Sequence, residues 1–313
     1  METGKPGNEK NKDRVMPSRQ GFWALLRDTF QGWSDDDPFR QSAAIAYYAI
    51  FSLPALLLIV ISVAGFFFGS DVVGSRVSES IASVMGSETA KQVNEMIVKA
   101  GDIKKSVVAS IIGIVTIVVG ATGVFEQLQK SLNQIWDVEV KPKQAFLKML
   151  KDRLFSFGII VSIGFLLLVS LVVTALLTAF GGWLKTRMPD VAVYMLNLAN
   201  FLVSFGITTV LFALMFKVLP DARISWRYVW VGALLTSVLF TIGKYALAMY
   251  FGKAAPESAY GAAGSIILIL LWVSYSCMIV FFGAEFTKQF SMRYGHGIKP
   301  AGNAQVKKED KVE

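Results

Sequence analysis

The chain of 313 residues contains one histidine, His296, and one cysteine, Cys277. A single residue of each kind excludes a disulfide framework, a multi-cysteine zinc or iron–sulfur centre and a His-rich metal centre. There is no Ser–His pair, no HExxH and no pair of intramembrane Asp to activate a nucleophile or water. No catalytic, cofactor-binding or metal-binding residue is therefore expected, and no cofactor. The chemistry left to the chain is that of polar side chains set in long apolar runs, where ionisable groups are costly and mark function by default. Lys244 is the deepest, about 16 residues or roughly 24 Å into the fifth run from its inner end. It either snorkels outward or meets a substrate phosphate as a compact point charge. Glu126, Lys217 and Glu285 stand at the ends of runs. They are either ordinary boundary residues or one inward ionic cluster that draws on a base such as Lys217 or Arg153. Tyr47, Tyr48 and Ser52 precede Pro54, which leaves the Ile50 carbonyl without its helical donor and predicts a kink or a wet pocket. The third run carries Ser156, Ser162, Ser170, Thr174 and Thr178, and the sixth carries Ser265, Trp272, Tyr275 and Ser276. Small and hydroxyl residues ordinarily serve close helix packing, and the sharper reading is a polar path for an amphiphile.

Those residues require membrane helices to hold them. The chain is 54% hydrophobic and 17% charged, with a mean hydropathy of +0.51, whereas soluble domains carry about 25% charged residues. Stretches free of Asp, Glu, Lys and Arg fall at 41–70, 106–125, 154–184, 191–216, 228–243 and 258–284. Crossing about 30 Å of hydrocarbon takes about 20 residues of helix. The fifth stretch reaches that length by continuing past Lys244 to Gly252. The expected fold is an all-α polytopic membrane protein with six transmembrane helices, near 41–68, 106–125, 155–180, 193–216, 228–251 and 263–284. Segments 1–40, 126–153, 217–227 and 285–313 together hold 22 Lys and Arg, against nine on the opposite side. The positive-inside rule then places both termini in the cytoplasm. The net charge of +8 is accordingly topology and attraction to anionic phospholipid at the inner face, and nucleic acid is not an expected partner.

Amphipathic segments surround the spans. Phe22, Leu26, Phe30 and Trp33 recur at helical spacing over 20–33 and predict a helix lying on the inner leaflet with Trp23 and Trp33 at headgroup depth, or one packed on the bundle. Asp37 suits an N-cap and Pro38 the first helical position. In the outer segment 71–105, Val73, Val77, Ile81 and Val84 form one stripe and Val93, Ile97, Ala100 and Ile103 a second. Gly86-Ser87 divides them, which predicts a helical hairpin acting as cap, lid or dimer contact. The inner segment 126–153 forms a basic collar and a candidate headgroup site. Residues 1–19 and 296–313 read as disordered tails around a membrane domain spanning 20–295.

Three blocks carry a resemblance. They are Ala43-Ala44-Ile45-Ala46-Tyr47-Tyr48-Ala49-Ile50-Phe51-Ser52-Leu53-Pro54, then Leu132-Asn133-Gln134-Ile135-Trp136, then Tyr260-Gly261-Ala262-Ala263-Gly264-Ser265 with Leu271-Trp272-Val273 and Gly283-Ala284-Glu285-Phe286. In this order and spacing they resemble the YihY/BrkB family of bacterial inner-membrane proteins over roughly 20–295. The resemblance implies six helices, a multi-pass inner-membrane location and a part in envelope integrity or lipid handling. It marks Asn133 as a further candidate polar residue. The family has also carried the label ribonuclease BN, which the residue inventory does not support: one histidine supplies neither a ligand cluster nor an acid–base pair. Transport or translocation of a lipid or other amphiphilic envelope component is the expected function, with a non-transporting envelope scaffold that docks a protein partner as the alternative.

Overall fold

The computed structural model describes residues 21–85, 90–91, 93–95, 123–141, 189–254, 264–295, 297–302 and 304–307. The described chain is mostly helical. In order it runs α1 (Phe22–Asp35), α2 (Pro38–Phe68), α3 (Ser70–Met85), α4 (123–135), β1 (Val138–Val140), α5 (Pro189–Val218), β2 (Ala222–Arg223), α6 (Trp226–Ala254), α7 (Gly264–Tyr294), β3 (Lys299–Pro300) and β4 (Ala304–Val306). Among the described residues three helices are long and apolar enough to cross a membrane, over Tyr194–Val218, Trp226–Tyr250 and Ile266–Tyr294. They fall on the fourth, fifth and sixth expected spans, and α2 occupies the first. The second and third expected spans, apart from 123–125, lie outside the described residues, as do most of 86–105 and both chain ends.

The surface of the bundle differs from that of a soluble protein. Along α6, Trp226, Trp230, Leu234, Val238, Ile242, Tyr245 and Met249 are all exposed, a continuous apolar stripe at three- and four-residue spacing. Buried on the same helix are Thr236 and Ser237, whose hydroxyls donate to the carbonyls of Gly232 and Ala233 at 2.7 and 2.9 Å. Water would penalise such a stripe and lipid does not.

Helix α7 is the hub: α1, α2 and α6 all pack on it. The α6–α7 crossing uses two glycines reciprocally. Thr287 of α7 fills the space a Cβ would need on Gly232, and Thr236 of α6 fills the space a Cβ would need on Gly283. Further along, Tyr275 lies on Gly243, where a Cβ would come within 2.6 Å of its ring. Small residues that let backbones approach are the ordinary means of joining helices where lipid removes the hydrophobic drive. Gly283 and Tyr275 of the sixth run thus pack closely on α6.

At one end of the bundle the connections fold into a plate. Strand β1 pairs antiparallel with β4, matching Val138, Glu139 and Val140 to Val306, Gln305 and Ala304, and β2 pairs with β3, matching Ala222 and Arg223 to Pro300 and Lys299. These strands correct two expectations. The fold is not purely helical, and 299–300 and 304–306, expected within a disordered tail, are paired strand. The reversal after α7 turns on Gly297, at φ +70, where a side chain would be strained. Asp37 does sit at the N-cap of α2, with Pro38 first in the helix, but its backbone is left-handed and its side chain makes no cap bond. That carboxylate pairs with Arg40 at 3.3 Å in solvent instead. Helix α2 continues through Pro54 to Phe68.

Candidate functional site

Polar groups converge on the last turns of α7. Glu285 is fully buried although it belongs to a helix otherwise apolar at its neighbouring positions. Its Oε1 accepts from Nε2 of Gln289 one turn on, at 2.6 Å. Its Oε2 lies 3.6 Å from the Lys288 ammonium, which also binds Asp137 at 2.8 Å. The carboxylate rests against Gly32 of α1, where any Cβ would collide with it. A buried carboxylate needs donors or a cation, and here its own helix supplies both while α1 contributes only room. Asp137, in the left-handed region at φ 54, closes the turn after α4 and pairs with the mostly buried Lys288. Asp36, between α1 and α2, accepts through its carbonyl from Gln41 and, at 3.4 Å, from Gln134. Burial holds its carboxyl above the ordinary carboxylate range, with Lys288 opposing that rise.

Donors from other elements bind the α7 backbone. The Trp33 indole of α1 donates to the Met278 carbonyl and the Trp136 indole to the Ala284 carbonyl, both at 3.1 Å. Arg293 binds Asp28 of α1 at 2.9 Å. Helix α1 is therefore packed on the bundle through Leu25, Thr29, Gly32 and Trp33, while Phe22, Trp23 and Phe30 remain exposed. Of the two roles expected for this helix, packing on the bundle is the one observed.

A second node binds the α5–β2 turn. Asn133 Nδ2 donates to Asp221 Oδ2 and Asn133 Oδ1 accepts from the Asp221 amide, both at 2.8 Å. Gln129 adds a donor at 3.2 Å, and the Asp221 carbonyl accepts from Ala301 behind β3. Asn133 is thus a structural tie. The whole Leu132–Trp136 block is used: Leu132 and Ile135 are buried, Gln134 reaches Asp36, and Trp136 reaches α7.

The other residues singled out from the sequence separate. Glu126 is exposed on α4 and pairs with Lys130 at 2.7 Å, which corrects the expectation that it joins Glu285 inside. On α4 the apolar face of Leu128, Leu132 and Ile135 is the buried one, and Glu126 falls off it. Lys217 is not the partner of Glu285; it donates to the Ile224 carbonyl and lies 5.6 Å over the Trp226 ring. Arg153 lies outside the described residues. Lys244 is half-buried, 5.3 Å over the ring of Tyr245. On α2, Tyr47 is exposed and edge-on to Tyr48 and Phe51, Tyr48 packs on Gly123, and buried Ser52 donates to the Ala49 carbonyl at 3.2 Å. Trp272 meets Phe240 and Tyr275 meets Gly243, both on α6. The side chain of Pro54 lies outside the description, as do the hydroxyls of the third expected span.

Sequence reasoning passed over Lys288, Asp137, Asp221, Gly32 and the Gly–Thr pairs. One signal was readable: Gly232-Ala233 with Thr236 repeats as Gly283-Ala284 with Thr287. Comparison with known proteins agrees with a membrane protein. A family model described as Virulence factor BrkB matches residues 29–308. A UPF0761 membrane protein of Alteromonas mediterranea is 26% identical over 287 residues, covering 88% of this chain and 92% of that relative. One from Stenotrophomonas maltophilia is 26% identical over 293 residues, covering 90% of this chain and 63% of the relative. In Verminephrobacter eiseniae the likeness is 29% over 178 residues and 40% of the relative's length. No solved structure matches.

Proposed function

Since this chain belongs to the BrkB family of membrane proteins, we propose that it moves a lipid or another amphiphilic envelope component across the bacterial inner membrane, with six spans and both termini in the cytoplasm. The observation that supports this reading is the placement of charge along the α6–α7 pair. At the end bearing the strand plate, Glu285 and Lys288 are held at the bundle interior. Toward the other end, half-buried Lys244 stands beside exposed Ile242 and Tyr245, within reach of lipid. An amphiphile needs both: apolar surface for its chains and a cation at the level of its headgroup. Tyr47, Tyr48, Ser52, Trp272 and Tyr275 are the proposed polar and aromatic lining, with Pro54 loosening α2 beside them. The reading includes no enzymatic step, because one histidine and one cysteine offer no acid–base pair or ligand set.

Exposed Val72 on α3, beside exposed Phe66 at the end of α2, favours the second reading, a non-transporting scaffold whose outer segment docks an envelope protein. Reconstitution separates the two. Vesicles carrying the protein and a leaflet-restricted fluorescent phospholipid should lose that asymmetry faster than empty vesicles, and a Lys244→Ala, Tyr48→Ala double variant should slow the loss. Movement no faster than in empty vesicles would favour the scaffold. Reporter fusions at residues 90 and 140 should report opposite sides of the membrane; the same side for both would refute the topology.

A further inference from the structure

Where β3 meets β2, two cations oppose each other. The register matches Arg223 to Lys299, so both side chains leave the same face of a two-residue ladder, and both are exposed. Like charges directly opposite on paired strands destabilise the pairing. Neither residue forms an ion pair among the described residues. Arg227, four positions after Arg223 in the first turn of α6, is also exposed and likewise makes no ion pair among them. That turn contains no acidic residue, so the positive end of the helix dipole adds to the same field. Lys217 completes the patch from the end of α5, its ammonium over the Trp226 ring.

The surroundings identify the class of anion. Trp226 and Trp230, one turn apart and half-exposed, begin the apolar stripe of α6, and the candidate span itself starts at Trp226. Trp is the residue of the membrane–water boundary, so the cations stand at headgroup depth with acyl chains directly beyond them. A soluble anion would make no use of the two indoles. We propose that Arg223, Lys299 and Arg227 bind the phosphate headgroup of an anionic phospholipid whose chains lie along Trp226 and Trp230. The site holds whether or not the protein moves lipid, since it rests on the plate and the start of α6 alone.

The test uses the full-length protein in native mass spectrometry, from detergent supplied with equal phosphatidylglycerol and phosphatidylcholine. The expected result is preferential retention of phosphatidylglycerol. An Arg223→Gln, Lys299→Gln variant should weaken that retention by more than about tenfold, at about fivefold for each basic side chain at an anionic headgroup. Arg40→Gln, which removes an exposed cation paired with Asp37, should leave it unchanged. In phosphatidylcholine nanodiscs the double variant should unfold at the same temperature as the native chain or higher, because it removes a repulsion. Equal loss from Arg40→Gln would mean diffuse surface charge and overturn the site. Displacement of the lipid by millimolar inorganic phosphate would assign the cations to a soluble anion and overturn it as well. A lower unfolding temperature for the double variant would make the pair structural and overturn it too.

Discussion

Substituting Gly283 by Ala tests whether the reciprocal seats of α6 and α7 hold the bundle together. A Cβ at 283 would overlap the Thr236 hydroxyl and come within 2.9 Å of its Cβ and 3.2 Å of its Cγ2. Thr236 cannot turn away freely, because a β-branched side chain in a helix has one strongly preferred rotamer or two, and its hydroxyl is engaged with the Gly232 carbonyl. Overpacking of this kind costs about 1–3 kcal/mol. Helix propensity returns up to about 1 kcal/mol when Gly becomes Ala, leaving a net loss of up to about 2 kcal/mol. Thr236→Ala removes the Oγ1 and Cγ2 clashes and leaves the tight Cβ contact, so Gly283→Ala with Thr236→Ala should recover part of the loss as a coupling energy. Thr287→Ala should not rescue Gly283→Ala, since Thr287 seats on Gly232. Cys277, buried on α7 and the chain's one cysteine, gives the assay: a thiol-reactive dye reports its exposure as the protein is heated in mild detergent. Rescue of Gly283→Ala by Thr287→Ala equal to that by Thr236→Ala would refute the reciprocal packing.

The same assay checks three further expectations. Asn133→Ala leaves the buried Asp221 short of one side-chain donor and its amide short of an acceptor, and should cost about 2–4 kcal/mol; an unchanged unfolding temperature would contradict it. Truncation after Gly297 removes β3 and β4 with the Ala301 and Lys307 amide bonds to Asp221 and Asp137, and should lower the unfolding temperature, whereas a disordered tail would be lost without effect. Because Asp36 is held above its ordinary value mainly by burial, the folded state retains its proton more tightly than the unfolded state, and stability falls as pH rises through that interval. Asp36→Asn should therefore raise the unfolding temperature at pH 7 relative to native, with the gain vanishing well below the ordinary value of 3.8, where both states are protonated; a gain that is absent at pH 7 would contradict the burial argument.

How much was legible in the sequence differs by element. The span on α6 was readable because an apolar run of that length with interrupting Lys244 has few other uses, and the structure begins and ends the helix within a few residues of the expected 228–251. Helix α7 instead continues to Tyr294, ten residues past the expected end at 284. The charges of Glu285, Lys288 and Arg293 read as the edge of the membrane, yet the helix continues through them, with Asp137 after α4 pairing Lys288 and Asp28 of α1 pairing Arg293. Glu126 and Glu285 looked equivalent, each at the end of a run. They separate because Glu126 falls on the outer face of a helix whose apolar face is already committed, while Glu285 faces a glycine on another helix.

By itself the sequence determined membership of the membrane class, the positions of the described apolar helices and the family, since all three rest on local composition, periodicity and ordered motifs. Only the tertiary structure decided which charges are buried, that the segment after α7 forms strands, and which glycines seat which threonines. Those outcomes depend on pairs far apart in the chain, such as Asp221 with Asn133, Lys299 with Arg223 and Gly32 with Glu285. Strands of two or three residues are too short to show a period, and the repeated Gly-Ala with Thr spacing marks small residues without saying which threonine meets which glycine.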